Sequence, residues 1–307
     1  MINSTTIRSS NFWAYLQLMR PANIVTAWAD ILAGFGVSGC FALMNQGIIF
    51  SLGWLLLSTT GLYAGGIVFN DVFDAELDVK ERPERPIPSG RVSLVGATLL
   101  GSFLLSVGIA AAFQVSVLSG ILAFSIALAA LFYDAVGKHQ TFLGHLFGPL
   151  NMGICRGCNL LLGVSVNPVI VKEFWFLALI PIIYIAAITT LSRGEVHGGK
   201  TSTGIIAVVM LCVVITALLA LGFLNNYQLL AALPFLLLFA LRVLLPFVKA
   251  ASTPTAENIF AAVRSGVISL IILDAAIAAG FAGFLYGILV LVLLGFSMSL
   301  ARFFAVT

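Results

Sequence analysis

Residues 70–91 read NDVFDAELDVKERPERPIPSGR, and within them Asn70, Asp71, Asp74 and Asp78 fall at relative positions 0, 1, 4 and 8. On a helix turning about 100° per residue they lie at roughly 0°, 100°, 40° and 80°, within one arc of about a quarter turn. Phe73 and Leu77 point elsewhere. Three carboxylates crowded in that arc repel one another unless they are protonated or neutralised by cations. A ligand set made only of oxygen suits Mg²⁺, which keeps several waters and binds one or two carboxylates together with substrate phosphates. Arg82, Arg85 and Arg91 follow, and guanidinium forks match phosphate oxygens in pairs. Pro83, Pro86 and Pro88 stiffen the loop and end the helix. The segment therefore reads as a site for a metal and a diphosphate. The plainer alternative is a solvated acidic loop balanced by its own arginines.

The elements that position this segment follow from composition. Of 307 residues, 61% are hydrophobic and 9% charged, and the mean hydropathy is +1.12. A soluble domain is about 45–50% apolar and about 25% charged, so a soluble globular enzyme and a disordered chain are excluded. Nucleic-acid binding through a basic face is excluded too, since 15 Lys+Arg against 12 Asp+Glu leave a net charge of only +3. Apolar runs lie at 22–43, 47–69, 92–112, 115–133, 142–165, 173–191, 203–224, 228–248, 258–281 and 284–304. A bilayer span takes roughly 20 such residues. The runs are apolar all round rather than alternating, which predicts membrane helices and not a barrel. The expected fold is thus an all-α polytopic membrane bundle of about nine core helices around a central cavity, with a tenth apolar segment at 284–304, forming one domain over residues 1–307. Small residues such as Gly61 with Gly65, and Gly204 with the Ala207 turn, predict close helix contacts. Cys40, Cys155, Cys158 and Cys212 all lie in apolar stretches, so no disulfide framework is expected, and the Cys155/Cys158 pair reads as packing. The first run reads as a retained span rather than a cleaved signal.

The few charges fix an orientation. Arg8 and Arg20 precede the first run, Lys80, Arg82, Arg85 and Arg91 follow the second, Lys138 the fourth, Arg193 and Lys200 the sixth, and Lys249 the eighth. The alternate connections lack Lys and Arg except for Lys172 beside Glu173. The positive-inside rule places the amino terminus and the charged loops in the cytoplasm, so the expected location is a multi-pass protein of a bacterial inner membrane. The loops after helices two, four and six then share one face, and chemistry in them can converge.

The string N-D-x-x-D-x-x-x-D followed by R-P-x-R-P resembles the first aspartate-rich motif of the UbiA superfamily of intramembrane prenyltransferases. Met19-Arg20-Pro21-Ala22-Asn23 is similar to that family's amino-terminal Arg-Pro segment. The resemblance implies Mg²⁺ as cofactor and an isoprenyl diphosphate as partner, with Asn70, Asp71, Asp74 and Asp78 as metal ligands, the three aspartates catalytic. Arg82, Arg85 and Asn23 would line the substrate. Diphosphate leaves and the allylic carbon alkylates an unidentified acceptor, often aromatic in the family, within the membrane lipid.

The other two loops carry the resemblance less fully. Tyr133 and Lys138 stand where many family members have a tyrosine and a cation meeting the diphosphate, with Lys138 equally readable as an ordinary positive-inside lysine. After helix six the family has D-x-x-x-D, whereas this chain has Ser192-Arg193-Gly194-Glu195-Val196-His197-Gly198-Gly199-Lys200. Glu195 replaces the first aspartate and Gly199 the second, so one carboxylate remains, and Arg193, His197 and Lys200 become candidates to bind phosphate directly. In helix five, Asn151, Arg156 and Asn159 form a polar side expected to face the cavity, with Arg156 as a substrate contact or a partner of Asp30 or Asp274. CRGCNLLLG with SRGEVHGG is similar, more loosely, to the EboC-like bacterial branch. The lost carboxylate also leaves open a non-catalytic isoprenoid-binding or lipid-linked trafficking protein. A secondary transporter is weaker, because no inverted repeat is evident.

Overall fold

A computed structural model describes residues 11–43, 45–137 and 142–304. The described residues are helical with short turns and contain no strand. A short helix α1 (Asn11–Met19) leads through Arg20 into α2 (Pro21–Val37). Proline suits the first helical position because its missing N–H would be unbonded there anyway. Helix α3 (Gln46–Phe73) starts on the Asn45 side chain, which accepts the Ile48 N–H, and is followed after Asp74 by the short α4 (Ala75–Glu81). Then come α5 (Leu94–Phe113), α6 (Val117–Phe132), a π-helical turn (Tyr133–Gly137) and α7 (Phe142–Val164). Helices α8 (Pro168–Phe174) and α9 (Leu179–Ser192) join through a 3₁₀ turn into one apolar span, Pro168–Ser192. Helices α10 (Thr201–Ala220), α11 (Leu229–Ser252), α12 (Ala256–Ala282) and α13 (Phe284–Leu300) complete the bundle.

Among the described residues, seven helical segments are long and apolar enough to cross a bilayer, and the chain is an integral membrane protein. Its packing inverts that of a soluble domain. Large apolar side chains point outward along single helix faces, such as Leu99 and Phe103 on α5 and Leu237, Leu241 and Leu245 on α11. Inside, small residues let backbones touch. A Cβ added at Gly61 would lie 2.5 Å from the Leu104 carbonyl oxygen, and one at Gly204 would lie 2.5 Å from Ala251 Cα. Lipid offers no hydrophobic drive between helices, so close van der Waals contact of this kind holds them together.

Helix α2 is the hub, with Ala22 through Ala27 and Ala29 through Ile31 all buried. It is locked to α7 where a Cβ on Gly34 would meet Leu160 O at 2.2 Å and one on Gly163 would meet Ile31 O at 2.4 Å. The tenth apolar segment packs along the same hub as α13. Tyr286 Oη donates to Leu32 O (2.9 Å) and Ser297 Oγ to Ala22 O (3.0 Å), so the two helices run antiparallel over most of their length. All four cysteines are free thiols.

Candidate active site at the charged mouth

The ends of α2, α3, α6 and α9 that carry charge meet at one mouth, as the loop charges predict. Arg20 supplies the first contact. It sits between α1 and α2 with φ 47°, and it is the one non-glycine residue with positive φ among those described. Such a backbone costs about 1–3 kcal/mol and persists only where the surroundings enforce it. Here it brings Arg20 Nη2 to within 2.9 Å of Asp71 Oδ1.

Asp71 and Asp78 are both 4% exposed. Arg85 Nη1 lies between them, 3.2 Å from Asp71 Oδ1 and 2.7 Å from Asp78 Oδ2. The helix does not run through the motif as its spacing suggests. It breaks at Asp74 (φ −88°, ψ 0°) and restarts at Ala75, yet residues seven apart still face together, since Asp71 and Asp78 share one guanidinium. Asp74 is half-buried and within electrostatic reach of Asp71 and Tyr133. Asn70 Nδ2 donates to Asp134 Oδ1 at 2.7 Å.

Among the described residues no three Asp, Glu, His or Cys side chains gather as they would around an ion. Arg85, expected at the phosphate end, holds a positive charge between two of the carboxylates. Arg91 also turns from any phosphate. It ties the loop to α1 through Gln17 Oε1 (2.7 Å), with further bonds to Ser89 Oγ and Glu84 O.

The second loop brings Tyr133 and Asp134 in on a single π-helical turn, a geometry found mostly as isolated turns and frequently at functional sites. Asp134 is 3% exposed, and Tyr133 is near Asp134, Arg193 and Asp74. Lys138 lies outside the described residues. The third loop brings Glu195, whose Oε1 is buried and has no hydrogen-bond partner among the described residues. Burial pushes its carboxyl above the usual range, with Arg82 nearby opposing the shift. Arg193, His197 and Lys200 are exposed. Asn23 is buried one turn into α2 from Arg20.

Helix α7 carries its polar residues to different neighbours. Asn151 turns to α6, donating to Ala129 O at 2.6 Å. Arg156, expected as a substrate contact or as a partner of Asp30 or Asp274, takes the second place: it is 6% exposed and held inside the bundle. Its Nη1 bonds Asp30 Oδ2 at 2.7 Å and its Nη2 bonds Thr26 Oγ1. The reason is depth. Its stacking partner Tyr63, 4.9 Å from the guanidinium carbon, precedes Asp71 by eight helical residues, or about 12 Å of rise.

Sequence reasoning passed over Asp134 and read Arg20 only through its Arg-Pro neighbourhood. The signal for Asp134 was its place beside Tyr133 in a charged loop. Nothing in the pattern signalled its pairing with Asn70.

Comparison with known proteins places this mouth in context. The model of the UbiA prenyltransferase family matches residues 31–264. Digeranylgeranylglyceryl phosphate synthase of Saccharolobus solfataricus is 35% identical over 133 residues, which is 43% of this chain and 46% of that one. The chain thus spans about half the length of the curated relatives it matches. A solved structure concerning digeranylgeranylglyceryl phosphate synthase in membranes superposes with a TM-score of 0.67 at 20% identity, covering 89% of this chain and 99% of that one. A UbiA homolog from Archaeoglobus fulgidus bound to DMAPP and Mg²⁺ gives a TM-score of 0.50 at 14% identity, covering 94% and 99%. At these identities the solved structures show a shared fold.

Proposed function

The chain belongs to the UbiA prenyltransferase family, and from that premise we propose that its mouth transfers a prenyl group from an isoprenyl diphosphate to a hydroxyl of a glyceryl phosphate lipid, with Mg²⁺. The observation that carries this reading is the convergence of three loops on one polar mouth, with Glu195 Oε1 buried there and without a hydrogen-bond partner among the described residues.

The donor set fits the metal in chemistry. Asn70, Asp71, Asp74, Asp78 and Glu195 offer oxygen alone, the preference of a hard divalent cation. Arg85 already keeps a positive charge between Asp71 and Asp78, so this spot favours cations. Bound there, Mg²⁺ would neutralise the departing diphosphate. Arg85 and Arg20 would exchange their carboxylate partners for phosphate oxygens, which their planar forks match equally well. Arg193, His197 and Lys200, exposed in the third loop, would meet the same phosphates, with Tyr133 within reach of Arg193, and Lys138 is a further candidate phosphate contact.

In the transfer, the bond between the prenyl carbon and the diphosphate oxygen breaks and its electron pair leaves with diphosphate. The acceptor oxygen bonds that carbon and loses its proton to the mouth. The apolar bundle beneath keeps water from the allylic cation. The acceptor class is supported by the relatives' names and the donor and metal by the ligands of the Archaeoglobus homolog. We also take the chain as one membrane domain whose mouth faces the cytoplasm, supported by the loop charges.

The test is to give purified protein geranylgeranyl diphosphate, Mg²⁺ and a geranylgeranylglyceryl phosphate acceptor, and to assay released diphosphate and the ether product. Binding of the diphosphate with no release, at any prenyl length or acceptor, would replace this reading with the non-catalytic isoprenoid carrier.

A further inference from the structure

Deep in the bundle, away from the mouth, lies a second ionic cluster that prenyl transfer does not use. Asp30 on α2 and Asp274 on α12 are each 0% exposed. Asp30 Oδ2 accepts from Arg156 Nη1 (2.7 Å) and from Asn159 Nδ2 (2.8 Å). Asn159 also donates to Ala27 O (3.0 Å) and accepts from Thr59 Oγ1 (2.8 Å). The Arg156 Nη1 and Nη2 and Asn159 Nδ2 bonds thereby all go to Asp30 or to the backbones and hydroxyls around it. Three carboxyl oxygens remain, Asp30 Oδ1 and both oxygens of Asp274, and none has a donor among the described residues. Yet Asp274 lies within electrostatic reach of both Asp30 and Arg156. Two carboxylates so placed repel unless a proton or a cation lies between them.

Charge counting points the same way. Two carboxylates against one guanidinium leave a net −1 at the centre of a low-dielectric bundle, where an isolated charge is very costly. Other ionisable groups in electrostatic reach are Tyr63 on α3 and Cys155 on α7, beside Arg156, and Tyr184 on α9, beside Asp274. None of them adds a positive charge, and Arg242 on α11 acts on Tyr184 rather than on the two aspartates. Tyr184 Oη is already spent on Gly266 O at 2.8 Å. Backbone contact between α2 and α7 at Gly34 and Gly163, one turn away, leaves little room there for a larger occupant.

We propose that Asp30 and Asp274 form a buried proton-binding site, in which one proton bridges the two carboxyls and Arg156 is the fixed counter-charge. The proton sits between Asp274 and Asp30 Oδ1, while Asp30 Oδ2 stays the anion that Arg156 and Asn159 hold. The site is then neutral, every buried oxygen but one has a partner, and α12 is tied to α2 across the core. A bound sodium ion would meet the same charge deficit, and the test separates the two.

The shared proton makes an unusual demand on substitutions. Asp274→Asn keeps one carboxylate opposite one guanidinium, with an amide N–H in place of the proton. Asp30→Asn does the same with the roles reversed. The double variant strands Arg156 with no anion. The experiment uses the full chain in nanodiscs, at fixed pH, with infrared spectra in H₂O and D₂O and melting curves with and without sodium. Wild type should show a protonated-carboxyl C=O band that shifts in D₂O and disappears in Asp274→Asn. Each single amide variant should melt near the wild-type temperature, and the double variant should fail to accumulate as folded protein. A wild-type spectrum without that band would overturn the proposal, as would a band unchanged in Asp274→Asn. A melting temperature that rises with sodium in wild type and not in Asp274→Asn would assign the site to the metal cation instead. None of these readouts depends on prenyl transfer, so they stand apart from the fate of the enzymatic reading.

Discussion

The molecule holds two arginine–aspartate constellations of similar geometry and opposite circumstance. At the mouth, Arg85 is 2.7 Å from Asp78 and Arg20 is 2.9 Å from Asp71, with the arginine side chains 14–15% exposed. In the core, Arg156 is also 2.7 Å from Asp30, with side chains 7% and 0% exposed. Bond length does not distinguish them, but replaceability does. A charge at the mouth can trade its partner for water, phosphate or a metal, whereas a charge in the core has no alternative partner. Identical contacts therefore serve exchange in one place and cohesion in the other.

The sharpest way to break this contrast is to truncate both arginines. Arg156→Ala leaves Asp30 buried without its cation, a loss of about 3–5 kcal/mol, and should appear as failure to fold or a large drop in melting temperature in detergent. Arg85→Ala should leave the fold intact and weaken binding of prenyl diphosphate. Equal melting losses in the two variants would erase the distinction. Next, Asp71→Ala should reduce transfer by roughly 100-fold or more, the scale of deleting one preorganised electrostatic contact, while circular dichroism stays unchanged. Third, Gly163→Ala drives a methyl into the Ile31 carbonyl and should cost about 1–3 kcal/mol, measured by the same melts, with no specific effect on diphosphate affinity.

A gentler probe uses Glu195. Its folded carboxyl binds a proton more tightly than the unfolded one. As pH rises from the usual carboxylate range through that raised value, the unfolded state releases its proton first, so stability falls across the window. Glu195→Gln should remove this decline in melting temperature, and the acid limb of the transfer rate should flatten with it. The smallest effects are expected at the rim, where His197→Ala should change stability by less than about 0.5 kcal/mol.

The contrast also governs what the sequence could reveal. Spans were legible because lipid imposes length and uniform apolarity on each one separately, and all ten runs correspond to helical segments. The mouth was legible in part because residues 70–85 are local, and a helical period places Asp71 and Asp78 on one face even across the break at Asp74. That break carries no proline or glycine, so nothing marked it. Arg85 was read as a phosphate contact because a one-dimensional pattern shows which charges are present and not which way a long side chain folds back. The core cluster joins residues 126 positions apart. Asp30 and Asp274 could be named as candidate partners for Arg156, but only the packing of α2 against α7 and α12 chooses between them. Asn151 shows the same limit, lying at a polar spacing from Asn159 and facing a different helix.

The burial of α2 has a consequence for how the protein is made. Helix α2 leaves the ribosome well before the helices that enclose it, and its coverings α12 and α13 follow only after α3 to α11. At elongation rates of roughly 5–20 residues per second, Asp30 must wait several seconds for Arg156 and longer for Asp274. A nascent chain halted before residue 156 therefore keeps Asp30 without its cation, and such truncated products should be preferred substrates for membrane quality-control proteases.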